Sequence, residues 1–207
     1  TTPVYLGTST TYANSAKANL LGNPYPSALD IDCFLSDPLN EHLGGAIYLW
    51  SHNIPIDWTG ATNQPFPGGA LYNYNVNSYA TYNRLGGVGT GITSILNGVF
   101  SSDRSLGKVG AGQGFFIETT ASGFATFKNS MRVGSQNQQN SQFFRGNPLP
   151  AESSPCVSEE RHRLWIQIRN LTPAQQFKQT LIGYSPLATT STTLDRNYDA
   201  KTLVAEP

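Results

Sequence analysis

"GAIYLWSH" (45–52) is the stretch whose reading decides the fold. In an extended chain successive side chains alternate between two faces. Ala46, Tyr48 and Trp50 therefore share one side, and Ile47 and Leu49 take the other. Both sides carry large apolar groups, so the stretch predicts a strand lying between two covered layers. Similar short runs lie on either side of it, each ended by Gly, Pro or Asn. "GQGFFIETT" (112–120) sets Phe115 and Ile117 against Phe116 and Glu118. "GFATFKNSMRV" (123–133) follows after a short Ser-Gly turn, and the two are expected to form a hairpin. "HRLWIQIRNL" (162–171) has the cleanest alternation. Leu164, Ile166 and Ile168 are predicted inward and nearly fully buried, with Trp165, Gln167 and Arg169 opposite. "FKQTLIGYS" (177–185) reads as its antiparallel neighbour across the "TPAQQ" turn.

Between these runs lie two polar stretches. Residues 53–110 are rich in Pro, Gly, Asn and Tyr, with one short strand expected near Tyr79–Tyr82, and residues 134–160 form the second. No repeat of fixed period and no linker divides the chain. The fold class expected is all-β: a single antiparallel β-sandwich, jelly-roll-like, over residues 1–207, with long loops and little helix.

Composition agrees with that class and excludes others. Charged residues make up 13% of the chain, against roughly 25% in an average soluble domain. Neutral polar residues and tyrosine fill the difference, which suits strands and turns better than helices. Lys+Arg and Asp+Glu number 13 each, so no basic field gathers phosphates, and nucleic acid is not an expected partner. No run approaches the ~20 apolar residues of a membrane-spanning helix. The chain opens at Thr1 without a leader, as after removal of a signal peptide or in a piece of a longer protein.

The chemistry-bearing motifs are few. "NPYPSALDID" (23–32) places Asp30 and Asp32 two residues apart. Ser27-Ala-Leu-Asp30 fits a helix start in which the carboxylate reaches back to the serine amide. The other reading makes Asp30 and Asp32 oxygen ligands of Ca2+, with Asp37 and Glu41 the nearby acids. No HExxH, GxSxG or phosphate-loop pattern occurs, and His42, His52 and His162 are scattered. "GGVGTG" (86–91) and "GAGQG" (110–114) read as tight β turns. "NLT" (170–172) matches a glycosylation acceptor by chance, at a strand-to-turn step before Pro173. Cys33 and Cys156 form no zinc pattern; they are either a disulfide closing a long loop or two buried thiols. These features argue against an enzyme, and no cofactor is expected.

Aromatic residues crowd one third of the chain: Trp50, Trp58, Phe66, Tyr72, Tyr74, Tyr79 and Tyr82. Flat rings flanked by amide side chains suit sugar binding, and Trp58, Tyr72, Tyr74 and His52 are the candidates. The competing reading packs these rings into the core or its loops.

Taken in order, "NLLGNPYPSALDIDCFL", "IYLWSHN", "YATYNRLGGVGT", "GQGFFIETT", "FKNSMRV", "QFFR", "RHRLWIQIRN", "FKQTLIGY" and "LDRNYDA" resemble a module of secreted and cell-surface proteins of Bacteroidetes, particularly flavobacteria. That module typically precedes a type IX secretion sorting domain. The resemblance spans roughly residues 19–200 and implies export, with the mature protein secreted or held on the outer cell surface. The module usually continues past "LDRNYDA", so the chain is expected to be part of a longer parent. The module brings no activity to named residues. Its implied role is a non-catalytic accessory domain in adhesion or surface assembly, with surface polysaccharide or other surface proteins as partners. The alternatives are a carbohydrate-binding module using the cluster at 50–82, and a fragment of a secreted polysaccharide-degrading enzyme.

Overall fold

The structure is a computed structural model that describes residues 1–7, 17–50, 57–58, 72–73, 79–89, 94–96, 99–101, 107–133, 156, 161–169, 177–191 and 193–200. Its strands are, in the first half, β1 (Thr2–Val4), β2 (Ala18–Gly22), β3 (Leu29–Asp30), β4 (Leu43–Trp50), β5 (Asp57–Trp58), β6 (Tyr72–Asn73), β7 (Tyr79–Asn83) and β8 (Gly86–Val88). There follow β9 (Ser94–Leu96), β10 (Val99–Ser101), β11 (Lys108–Val109), β12 (Gly114–Thr119), β13 (Gly123–Ala125), β14 (His162–Arg169) and β15 (Phe177–Tyr184). Among the described residues a single short α-helix, α1 (Ile31–Ser36), interrupts them. The protein is all-β, and every pairing between these strands is antiparallel.

The centre is a five-stranded sheet in the order β2-β12-β4-β7-β8. Strand β4 lies in its middle and is buried on both faces, as its sequence predicts. On one face the register sets Ile47 opposite Ile117 and Tyr82, and Leu49 opposite Ala80. These side chains belong to one apolar core with Leu21, Leu29, Ile31, Phe34, Leu35, Val109, Phe115 and Met131. The layer over this face is thus α1, the β3–β11 pair and the turn at Asn129–Met131. Phe34 fixes the contact: its ring meets Phe115 edge-on at 5.7 Å and stacks on Phe127 at 5.1 Å. On the other face Tyr79 bridges Trp50, at 5.0 Å, and Phe116, at 5.8 Å. Those rings pack as structural groups.

The segment near the C-terminal end closes one corner. Arg196 donates to the carbonyls of Leu43 and Asn40, and the Asn197 carbonyl accepts from the Arg84 amide. A Cβ on Gly45 would lie 1.1 Å from the Arg196 carbonyl oxygen, so only glycine admits this backbone.

Two expectations need correction. The hairpin between 112–120 and 123–133 does not form: β12 pairs with β2 and β4, while β13 pairs with β1. Both edges of β12 are occupied, and no edge remains for β13. The ribbon β14–β15 forms in the expected antiparallel sense, but its faces are reversed. Leu164, Ile166 and Ile168 are 60%, 44% and 75% exposed. The opposite face docks on β8 and the turn before it, where the Trp165 indole N–H donates to Gly87 O at 3.0 Å and Arg163 donates to Leu85 O at 3.2 Å. Tryptophan and arginine cover neighbouring backbone with their apolar bodies while their polar ends find acceptors, a combination leucine or isoleucine cannot supply.

The turn at 110–113 is as read: Gln113 N donates to Gly110 O, and Gly112 takes a φ of 71°. Among the described residues no helix is long and apolar enough to cross a membrane.

Candidate functional site

The residues around "ALDIDC" (28–33) hold the densest chemistry of the described molecule. Leu29 and Ile31 are fully buried, and the polar residues beside them, Asp30 and Asp32, are buried as well. Asp30 is the N-cap of α1, and its Oδ1 accepts the Cys33 amide at 3.1 Å. It is therefore a cap, as one reading of the sequence has it, but it stands at the N-cap itself and holds the Cys33 amide, where the sequence pattern set Ser27 at the cap. Its Oδ2 is in direct contact with Lys108 Nζ. That contact follows from the pairing of β3 with β11, in which Lys108 and Asp30 are register partners. Their side chains are only 5% and 4% exposed.

Asp32 enters the same buried region from the first turn of α1. The Tyr82 hydroxyl lies 3.1 Å from each of its carboxylate oxygens and donates to the carboxylate. Arg161 Nη2 forms an ion pair with Oδ2 at 3.1 Å. Burial raises the Asp32 carboxyl above its ordinary range, the Arg161 charge opposes that rise, and the Asp30 charge adds to it. Burial, followed by the Asp32 charge, also raises the Tyr82 phenol, which stays protonated as a donor. Gly107 makes room for this ring: its φ is 79°, and a Cβ there would lie 2.3 Å from the Tyr82 hydroxyl oxygen.

Cys33 follows directly and is bonded to Cys156, with Cα atoms 5.0 Å apart and a sequence separation of 123. Cys33 is buried, whereas Cys156 is exposed. A loop of that length corresponds to about 4–5 kcal/mol in the chain-entropy model. Two successive residues of α1, Asp32 and Cys33, thus hold the segment that carries Cys156 and Arg161.

Asp30 and Asp32, candidate Ca2+ ligands in the sequence, each face a cation supplied by the chain itself. Among the described residues no group of three or more His, Cys, Asp or Glu side chains gathers as a metal site. Of the sugar-binding candidates, Trp58 and Tyr72 are brought opposite each other as register partners in β5–β6. His52 and Tyr74 lie outside the described residues. Tyr82, counted among the same aromatics, is a core residue. Lys108, Arg161 and the Tyr82 hydroxyl escape sequence reading, because the three come to Asp30 and Asp32 from distant parts of the chain. A lone lysine in "GKVG" (107–110), between short turn segments, is the one local sign of them.

The chain belongs to the family described as Domain of unknown function (DUF8693), whose model matches residues 1–207. No significant match was found among curated proteins or solved structures.

Proposed function

We propose that the chain is a non-catalytic accessory domain of an exported bacterial cell-surface protein, serving adhesion or surface assembly. The Cys33–Cys156 disulfide carries this reading, since such bonds persist in oxidising compartments outside the cytosol. The commitment of both buried aspartates to internal cations supports a structural role for them over acid–base chemistry on a substrate. The resemblance to the Bacteroidetes module supplies the surface context and the type IX route. Antibodies against the domain should label intact cells of a bacterium that produces it. Labelling that appears only after the cells are permeabilised would refute the surface assignment.

A second reading, a carbohydrate-binding module, is favoured by the pairing of Trp58 with Tyr72. Saturable binding on a glycan array, lost in Trp58→Ala, would select it. Absence of binding to surface polysaccharides leaves adhesion through other surface proteins.

A further inference from the structure

We propose that Lys108 and Asp30 condense to form an intramolecular isopeptide bond, a covalent tie between β11 and β3. The inference does not depend on where the protein is located. Three features of the site carry it. First, the lysine Nζ is in direct contact with a carboxylate oxygen of Asp30, and the antiparallel register of β3 and β11 holds the two residues opposite each other. A nucleophile and an acyl group held together in this way react as if at very high concentration. Second, both side chains are nearly inaccessible, and the residues beside them in sequence, Leu29, Ile31 and Val109, are fully buried. Separated charges are costly in such a place, whereas an amide carries none. Third, a further carboxyl, Asp32, lies two residues away in the same buried region.

The step balances without an oxidant or a cofactor. A proton passes from the lysine ammonium to the aspartate carboxylate across their contact, leaving a neutral amine beside a carboxylic acid. The Nζ lone pair attacks Cγ of Asp30 to give a tetrahedral adduct. Nitrogen then loses a proton, the departing hydroxyl gains one, and the C–O bond breaks. One water leaves and one amide remains; a positive and a negative charge vanish together, so net charge is unchanged. Asp32, the further carboxyl in this buried region, would relay the proton between nitrogen and oxygen. The Asp30 oxygen that caps Cys33 can remain as the amide carbonyl, so the helix start survives the reaction.

The test is the intact mass of the full chain, denatured and with its disulfide reduced. The wild-type protein should weigh one water less than its sequence, about 18 Da. Proteolysis should yield a branched peptide joining the stretches around Asp30 and Lys108. Lys108→Arg, which keeps the charge but replaces the amine, should show its full sequence mass. Wild type at full sequence mass would overturn the proposal whether or not the variant folds. A water loss that persists in Lys108→Arg would also overturn it, by placing the dehydration elsewhere in the chain.

Discussion

The layer around α1 and the β14–β15 ribbon are held in opposite ways. Around α1 the large apolar groups Ile31, Phe34 and Leu35 are fully buried, and the polar groups among them are capped, ion-paired or disulfide-bonded. In the ribbon the aliphatic side chains Leu164, Ile166, Ile168 and Ile182 face outward, and attachment runs through Trp165 and Arg163 on the other face. The difference teaches that alternation defines two faces but not which one turns inward. Cross-strand pairs make a ribbon, whereas docking it needs groups whose polar ends match the surface beneath.

The largest effect expected from breaking this contrast is loss of the disulfide. Cys33→Ser with Cys156→Ser should cost about 4–5 kcal/mol in denaturant unfolding. Phe34→Ala should cost about 3–5 kcal/mol, through a cavity between Phe115 and Phe127, while the exposed Ile168→Ala should change stability by less than about 0.5 kcal/mol. Gly45→Ala should cost about 1–3 kcal/mol by forcing the Arg196–Asn197 backbone away, and limited proteolysis should then cut near the C-terminal end. Within the ribbon, Trp165→Ala should cost about 1–3 kcal/mol and exceed Ile166→Ala. The reverse order would restore the inward face expected from the sequence.

The smallest effect concerns pH. Asp32 binds its proton more tightly in the folded than in the unfolded chain, so its contribution to stability is greatest at acid pH. That contribution is lost as pH rises from about the ordinary 3.8 through the raised folded value. Thermal melts of wild type should therefore decline over this window relative to those of Asp32→Asn. Parallel curves would show that Arg161 and Tyr82 fully offset the burial of Asp32.

These regions also show what a sequence reveals. The double-sided apolar pattern of 45–50 is enough to place β4 at the centre of a sheet, because period-2 alternation and burial on both faces are local properties. That Asp30 caps a helix start is legible, but its position is not: the sequence pattern sets Ser27 at the cap, and the helix instead begins after Asp30 itself. The partners of Asp30 and Asp32 are not, since Lys108 and Arg161 arrive only through β3–β11 pairing and the Cys33–Cys156 bond. The false hairpin at 112–133 arose because a short turn is a local signal, while competition for the edges of β12 is a property of the whole sheet.

Hydrogen exchange followed by mass spectrometry tests the contrast most directly. Amides of Cys33, Phe34 and Leu35, together with those of β4 and β12, should exchange only through global unfolding, with the slowest rates among the described elements. Amides of β14 and β15 should exchange faster, by local opening that leaves the central sheet intact. Equal protection of the ribbon and the α1 layer would contradict the account, and faster exchange at α1 than in the ribbon would reverse it.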